Sequence, residues 1–164
     1  MSRIVERAIR RAGITATSEP MDLFAADLLA LGALADRLRR ARHGDRTRIG
    51  AGEADAVDVV VRSGGLPELA SLRGRPVGTV VVRPDREAPA TGEEILRTAA
   101  VCRVALDVVH VAVAWEDIGI ELAQVALSFG VDELRGPVGD GALRRGIPRA
   151  ELEDLIRKAG REAA

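Results

Sequence analysis

The sequence has very little lysine and very few aromatic residues. Lys158 is the only lysine, so arginine supplies nearly all of the positive charge. Phe24, Trp115 and Phe129 are the only aromatic residues among 164. A GC-rich bacterial genome, which favours Ala, Arg, Gly and Val codons, accounts for both features. An arginine-lined anion site is the alternative, and composition alone does not decide between them.

Cysteine is almost absent as well, since Cys102 stands alone. One thiol cannot form an internal disulfide, a cysteine-rich zinc site or an iron–sulfur cluster unaided. Cys102 falls on the apolar stripe of a predicted helix with Ile95, Ala99 and Leu106. We therefore expect an inert thiol in the core.

Strong net charge and long apolar runs are also missing. The formal net charge is −1, so no general attraction to nucleic acid or to an anionic membrane is expected. The longest uncharged apolar run, Val108–Trp115, is too short to cross a bilayer. The first residues, MSRIVERAIRRAG, lack the apolar centre of a signal peptide. These features predict a soluble, cytoplasmic protein.

The apolar patterns predict one α/β domain over residues 1–164. Residues 1–44 form a helical cap, in which a long helix runs from Met21 to Arg42 and stops at Gly44. Residues 45–90 are a variable segment with strands at Ala56–Arg62 and Val77–Arg83. Residues 91–164 alternate helix and strand.

The third segment has the clearest signals. Thr91 and Glu94 match a capping box at the start of a helix. Val108–Trp115 is nearly all apolar, which is typical of a strand covered on both faces in a parallel sheet. Asp117 is the predicted cap of the next helix, and Pro148 opens the last one.

No motif for a phosphate loop, a dinucleotide site, a zinc protease or a serine hydrolase is present. We assign no catalytic residue and no metal ligand. His43 is explained by a helix end, and His110 is interpreted as a core histidine. The polar residues at the ends of predicted strands are the candidates for binding, because α/β folds bind ligands there.

The candidate ligand-binding residues are Arg83, Trp115, Glu116, Asp132 and Asp140. Together they would line a polar hollow with one aromatic wall, suited to a nucleoside-like ligand, S-adenosylmethionine included. The alternatives are simple helix capping by the acidic residues, solvated acidic loops, and a Trp115 that only packs.

Residues 91–140 also carry an ordered set of matches to a known family. The matching residues are Arg103, Leu106, Asp107, Trp115, Gly119, Ala123–Leu127, Phe129, Gly130, Asp132, Glu133 and Gly136. This stretch resembles the C-terminal part of the radical SAM enzymes of the futalosine route to menaquinone, aminofutalosine synthase and dehypoxanthine futalosine cyclase. The tail IPRAELEDLIRKAGREAA and the front segment around His43-Gly44-Asp45 are similar to the same family.

The resemblance implies a partial (β/α) barrel of about four mostly parallel strands with an N-terminal helical cap. The family holds an iron–sulfur cluster on a CxxxCxxC loop after its first barrel strand, and this shorter chain has no such loop. Pro137 replaces a family Thr, and Asp140 stands where the family has Glu. A non-catalytic radical SAM-like protein without a cluster is therefore expected.

Such a protein would be a partner or regulator in menaquinone biosynthesis. The alternative is a small enzyme or ligand-binding protein that reuses the barrel-rim pocket for a nucleoside-like ligand, with S-adenosylmethionine binding left open. A partial barrel has open strand edges, and open edges invite pairing. We therefore expect a homo-oligomer, such as a homodimer, or a complex with a full-length radical SAM enzyme.

Overall fold

The computed structural model describes residues 3–50, 56–139 and 146–164, so Asp140 lies outside the described residues. The helices are α1 (Arg3–Ala12), α2 (Pro20–Ala25), α3 (Leu28–His43), α4 (Gly92–Ala105), α5 (Trp115–Ile118), α6 (Ile120–Ala126) and α7 (Arg149–Lys158). The strands are β1 (Arg46–Gly50), β2 (Ala56–Val61), β3 (Val77–Pro84), β4 (Val108–Ala114), β5 (Glu133–Arg135) and β6 (Glu162–Ala163). Short 3₁₀ turns cover Ala70–Leu72 and Leu127–Phe129.

Within the described ranges, the six strands form one sheet in the order β2-β3-β4-β5-β1-β6. Every neighbouring pair of strands is parallel. Strands β2 to β5 follow the chain order, and β1 then lies beside β5, as the first and last strands meet in a closed β/α barrel. The predicted α/β fold with a partial barrel is confirmed.

The strand count is six where the sequence predicted about four. The patterns of β2, β3 and β4 were readable because these strands are rich in valine. By contrast β1 (RTRIG), β5 (ELR) and β6 (EA) are short and polar, so they lack the β-branched runs that mark a strand. They form because their neighbours in the sheet supply hydrogen bonds.

The core lies between the sheet and the helices. One set of alternating side chains on the central strands points to this core: Val59, Val61, Val80, Val82, Val111, Val113 and Leu134. Helix α4 lies over it, with Ile95, Ala99 and Cys102 nearly inaccessible to solvent. Helix α3 packs on α4 through Leu31 and Leu34. Each fully buried leucine stabilises the fold by about 1.5–3 kcal/mol.

The other set of strand side chains faces away from the core helices, and we call that side the inner face. Because side chains alternate along a strand, the register fixes which residues share it. The inner-face residues are Asp58, Val60, Thr79, Val81, Arg83, His110, Ala112, Ala114, Glu133, Arg135 and Arg48. Charged residues are therefore concentrated on the inner face.

The single long helix predicted from Met21 to Arg42 is wrong. The structure has two helices here, α2 and α3, separated at Ala26 and Asp27. Asp27 has extended backbone angles, and its carboxylate accepts a hydrogen bond from the backbone N–H of Ala30 at 2.9 Å. An N-cap interaction of this kind starts a new helix inside an uninterrupted apolar pattern.

Helix α4 begins as predicted. The Thr91 hydroxyl accepts from the Glu94 backbone N–H, and the Glu94 carboxylate accepts from the Thr91 backbone N–H, which completes the capping box. After β4, however, the chain enters α5 at Trp115, and Gly119 separates α5 from α6. Asp117 therefore lies inside α5 and is not a helix cap.

Among the described residues, none of the helices combines the length and the apolarity needed to cross a bilayer.

Candidate functional site

A buried ionic cluster surrounds Asp132, at the amino-terminal end of β5. The Asp132 carboxylate is 1% exposed and accepts hydrogen bonds from the Arg103 guanidinium and from the Val111 backbone N–H. Its other oxygen, Oδ2, lies 2.5 Å from Nδ1 of His110 and 3.4 Å from Nε2 of His43. We call these four side chains the Asp132 cluster.

The charges of the Asp132 cluster stabilise one another. Burial opposes the ionised form of Asp132, but the His110 hydrogen bond and the Arg103 charge outweigh burial, so the pKa of Asp132 falls below its usual range. Burial lowers the pKa of Arg103 from its ordinary value, and Asp132 opposes that shift. Burial likewise lowers the pKa of His43. Asp132 and Arg103 are thus a buried ion pair.

The Asp132 cluster has one geometric property of a metal site, since one ligand atom each from His43, His110 and Asp132 lies within 4.8 Å of the others. Hydrogen bonds within the chain already engage these side chains. Oδ1 of Asp132 is engaged by Arg103 and Val111, and Nε2 of His43 is 2.8 Å from the carbonyl oxygen of Val109. Arg42, Arg46 and Arg48 line the adjoining hollow of about 360 Å³ and disfavour a cation.

The location of the Asp132 cluster indicates a structural role. It connects α3, α4, β4 and the segment before β5 at the amino-terminal ends of the strands. In β/α barrels, reaction sites occupy the carboxyl ends, whereas the amino-terminal ends serve stability. The predicted rim pocket had placed Asp132 near Trp115, but the structure separates them to opposite ends of the sheet.

The inner face holds a second charged group, which extends from the middle of the sheet to the carboxyl-terminal end of β5. Glu133 and Arg135 face inward from β5, and the Arg135 guanidinium donates to the Glu133 carboxylate. Arg48 of β1 lies 3.4 Å from Glu133 Oε2. A Cβ at Gly50 would lie 2.7 Å from Glu133 Oε1, so the glycine makes room for this carboxylate.

Two atoms of this group lack hydrogen-bond partners in the described part of the chain. They are Nη2 of Arg135 and Oε2 of Glu133, and both are buried. A buried polar atom without a hydrogen bond costs about 1–3 kcal/mol. Nη2 of Arg135 thus offers a donor to a polar molecule, whereas Oε2 of Glu133 already has the Arg48 charge 3.4 Å away.

Arg83 and Trp115 lie at this same end of the sheet. Arg83 binds Asp58 at 3.1 Å and Asp117 at 2.5 Å, so it joins β2, β3 and α5. Trp115 is 5% exposed, and its indole ring contacts the backbone of Gly136. Glu116 is exposed on α5.

The structure therefore brings together only part of the predicted binding set. Arg83, Trp115 and Glu116 share the carboxyl-terminal end of the sheet, Asp132 lies at the opposite end, and Asp140 lies outside the described residues. Sequence reasoning singled out Glu133 only as an acidic neighbour of Asp132, and it missed Arg48 and Arg135. The available signal was the alternation Glu133-Leu134-Arg135, in which the leucine faces the core and both charges face inward.

Cys102 lies in the last turn of α4 and is fully buried. Burial raises the pKa of its thiol to about 12. The expected inert core thiol agrees with this environment.

We expect Cys102 to resist a thiol reagent such as DTNB in native buffer at pH 8 and to react fully in denaturant, because the thiolate is the reactive form. The absorbance of released thionitrobenzoate measures the reaction. Rapid stoichiometric labelling of the native protein would contradict the buried placement.

Two curated enzymes of Streptomyces coelicolor (strain ATCC BAA-471 / A3(2) / M145) are similar to the chain. Aminodeoxyfutalosine synthase is 40% identical over 85 residues, which cover 46% of this chain and 22% of the enzyme. Cyclic dehypoxanthine futalosine synthase is 33% identical over 123 residues, which cover 65% of this chain and 28% of the enzyme. No family model matches the chain.

These comparisons confirm the resemblance to futalosine-pathway enzymes. The chain spans only about a quarter of the length of these relatives. The similarity is to enzymes named for futalosine chemistry, and it does not carry over the activity of the complete enzymes.

Proposed function

We propose that this chain acts in menaquinone biosynthesis by the futalosine route as a non-catalytic, radical SAM-like protein, either a partner or a regulator of a pathway enzyme. The pathway assignment rests on the similarity to two enzymes named for futalosine chemistry. The non-catalytic role rests on the chemistry of Cys102.

The observation that carries the non-catalytic role is the environment of this one thiol. A [4Fe–4S] cluster is held by cysteine thiolates. Cys102 is enclosed by the core, with its pKa raised to about 12, so it fits no cluster. The resemblance implies a cluster loop after the first barrel strand, and the residues AGEAD that follow β1 contain no cysteine.

The test is a deletion in the encoding organism, followed by complementation with the wild-type sequence or with Cys102→Ala. We expect deletion to lower the cellular menaquinone level and both sequences to restore it, because a cluster is not part of the function. The purified variant must melt within a few degrees of the wild type.

Three outcomes would overturn the proposal. An unchanged menaquinone level after deletion removes the pathway link. A stable Cys102→Ala protein that fails to complement, or wild-type protein that takes up about four irons per chain on anaerobic reconstitution, removes the non-catalytic role.

A second function, binding of a nucleoside-like ligand at the carboxyl-terminal end of the inner face, is favoured by one observation. Nη2 of Arg135 is buried without a hydrogen-bond partner among the described residues. A carbonyl oxygen or ring nitrogen of a nucleobase would accept from this guanidinium nitrogen. Trp115, next to Gly136 and close to Arg135, would report the binding.

Trp115 is the only tryptophan, so its fluorescence can be titrated with adenosine, inosine and S-adenosylmethionine. We expect one of them to cause a saturable change that is lost in Arg135→Ala and kept in Glu116→Gln, since Glu116 is exposed. The absence of binding by all three in fluorescence and equilibrium dialysis would leave the Arg135–Glu133 pair as a structural feature.

A further inference from the structure

Strand β2 forms one end of the sheet and lacks the usual protection of an exposed edge. Its sequence, AVDVVV, has one charge, no proline and no lysine. Natural edge strands are normally interrupted by such residues because an open edge pairs with other chains. Val60, near its end, is 47% exposed.

The hydrogen bonds of β2 show which backbone groups are open. The carbonyl oxygen of Val61 accepts from Asp85, and the N–H of Ser63 donates to Ala88, so the odd-numbered residues face the β3 side. Backbone groups alternate along a strand. The N–H and C=O groups of Asp58 and Val60 and the N–H of Arg62 therefore face outward, on the side where no described strand pairs with β2. The Arg62 carbonyl instead accepts from the Gly65 backbone N–H at 3.0 Å.

An antiparallel pairing of two β2 strands about a twofold axis at Val60 matches these open groups. Val60 then lies opposite Val60 of the partner subunit, and the two residues exchange two hydrogen bonds. Asp58 lies opposite Arg62 of the partner subunit, and the symmetry repeats this pair. A twofold interface uses the same surface patch on both copies.

The charges on the edge are complementary in this register. Asp58 and Arg62 carry opposite charges, and directly opposed charges stabilise paired strands. Their side chains are 55% and 72% exposed, although each also has a partner within the chain: Asp58 binds Arg83, and Arg62 binds Asp85. Any other twofold register centred on an outward-facing residue loses the Asp58–Arg62 match.

We propose that the chain forms a homodimer by antiparallel pairing of its β2 edges, with the twofold axis at Val60 and an ion pair between Asp58 and Arg62 of the partner subunit. The two sheets then become one continuous sheet. A hollow of about 610 Å³ lined by Asp58, Val60, Arg62 and Arg83 lies at this edge, so pairing places the two copies of the hollow side by side. This proposal is independent of the pathway role.

A charge-swap experiment tests the register. We expect the wild type to be a dimer in analytical ultracentrifugation. Asp58→Arg and Arg62→Asp should each raise the dissociation constant at least about tenfold, because like charges then face one another twice. The double variant Asp58→Arg/Arg62→Asp should recover most of the affinity, since opposite charges face each other again.

The double variant controls for the internal contacts. The pairs of Asp58 with Arg83 and of Arg62 with Asp85 are broken in it as well, so recovery can come only from the contact between subunits. Val60→Lys should give monomers, and Val125→Lys, at a residue with the same 47% exposure on α6, should not. Circular dichroism verifies that each variant is folded.

A wild-type protein that sediments as a monomer at millimolar concentration would overturn the proposal. A dimer whose dissociation constant is unchanged in both single variants would also overturn it. So would a dimer in which the double variant loses as much binding free energy as the two single variants lose together.

Discussion

Replacement of Asp132 by asparagine is expected to lower the free energy of unfolding by about 3–5 kcal/mol. The substitution leaves the Arg103 guanidinium buried without its counter-charge. Arg103 keeps its hydrogen bonds to the carbonyl oxygens of Gly130 and Val109, but neutral acceptors do not replace a carboxylate. The same change removes the negative charge beside His110 and His43.

Urea unfolding followed by circular dichroism measures this loss. Asp154→Asn is the matched control, because Asp154 also binds two cations, Arg157 and Lys158, but at the surface. The control should change stability by less than about 1 kcal/mol. In the double variant Asp132→Asn/Arg103→Met, part of the lost free energy of unfolding should be recovered, because the buried and unpaired Arg103 charge is gone. Equal effects of Asp132→Asn and Asp154→Asn would contradict the structural role of the cluster.

The pH dependence follows from the direction of the pKa shifts. The pKa of Asp132 is lowered in the folded protein, so its stabilisation is present above the unfolded pKa and is lost as the pH falls through the folded pKa. The lowered pKa of His43 acts in the same direction, because the unfolded chain takes up that proton first on acidification. Because Asp132→Asn lacks the Asp132 contribution at every pH, the difference in unfolding free energy between wild type and variant should narrow as acid removes that contribution from the wild type.

The fold was largely predictable where the sequence pattern is strong and local. Thr91 and Glu94 marked the start of α4 correctly because a capping box depends on neighbouring residues alone. The valine-rich strands β2, β3 and β4 were recognisable for a similar reason. By contrast, β1 and β6 pair with each other although they are more than 100 residues apart in the chain, and their sequences carry no sign of it.

The site was less predictable because its geometry depends on register. Asp132 was expected near Trp115, because the short polar segment Val131–Val138 was interpreted as part of the neighbouring loop at the carboxyl-terminal rim of the sheet. The segment proved to be strand β5, and Asp132 enters it, so the residue belongs to the amino-terminal end. Arg103 supplies the counter-charge from the buried side of α4, where helical periodicity predicts an apolar residue.

The second large effect is expected at Gly136, where the chain passes directly over the Trp115 ring. The backbone φ of Gly136 is +151°, a conformation that residues with a side chain rarely adopt. A Cβ at Gly136 would also approach Cζ2 and Nε1 of Trp115 to 2.7 Å, well inside van der Waals contact. Gly136→Ala therefore combines backbone strain with a steric clash.

We expect Gly136→Ala to lower the free energy of unfolding by about 2–6 kcal/mol, since overpacking and a strained backbone each cost about 1–3 kcal/mol. Urea unfolding measures the loss, and the emission of Trp115 should shift to longer wavelength as the ring is displaced toward water. Gly78→Ala is the control, because a Cβ there meets no atom within 4 Å, and it should be nearly neutral.

Trp115→Phe separates the two causes of the Gly136→Ala effect. The indole atoms nearest to Gly136 include Nε1 and Cζ2. Phenylalanine has a single ring and no atoms at these positions. In Trp115→Phe/Gly136→Ala the clash is relieved while the backbone strain is kept. The double variant should therefore be more stable than the sum of the two single effects predicts, by about 0.5–3 kcal/mol of coupling. Strict additivity would mean that strain at Gly136 alone carries the cost, and that Trp115 moves freely enough to be a ligand-binding wall.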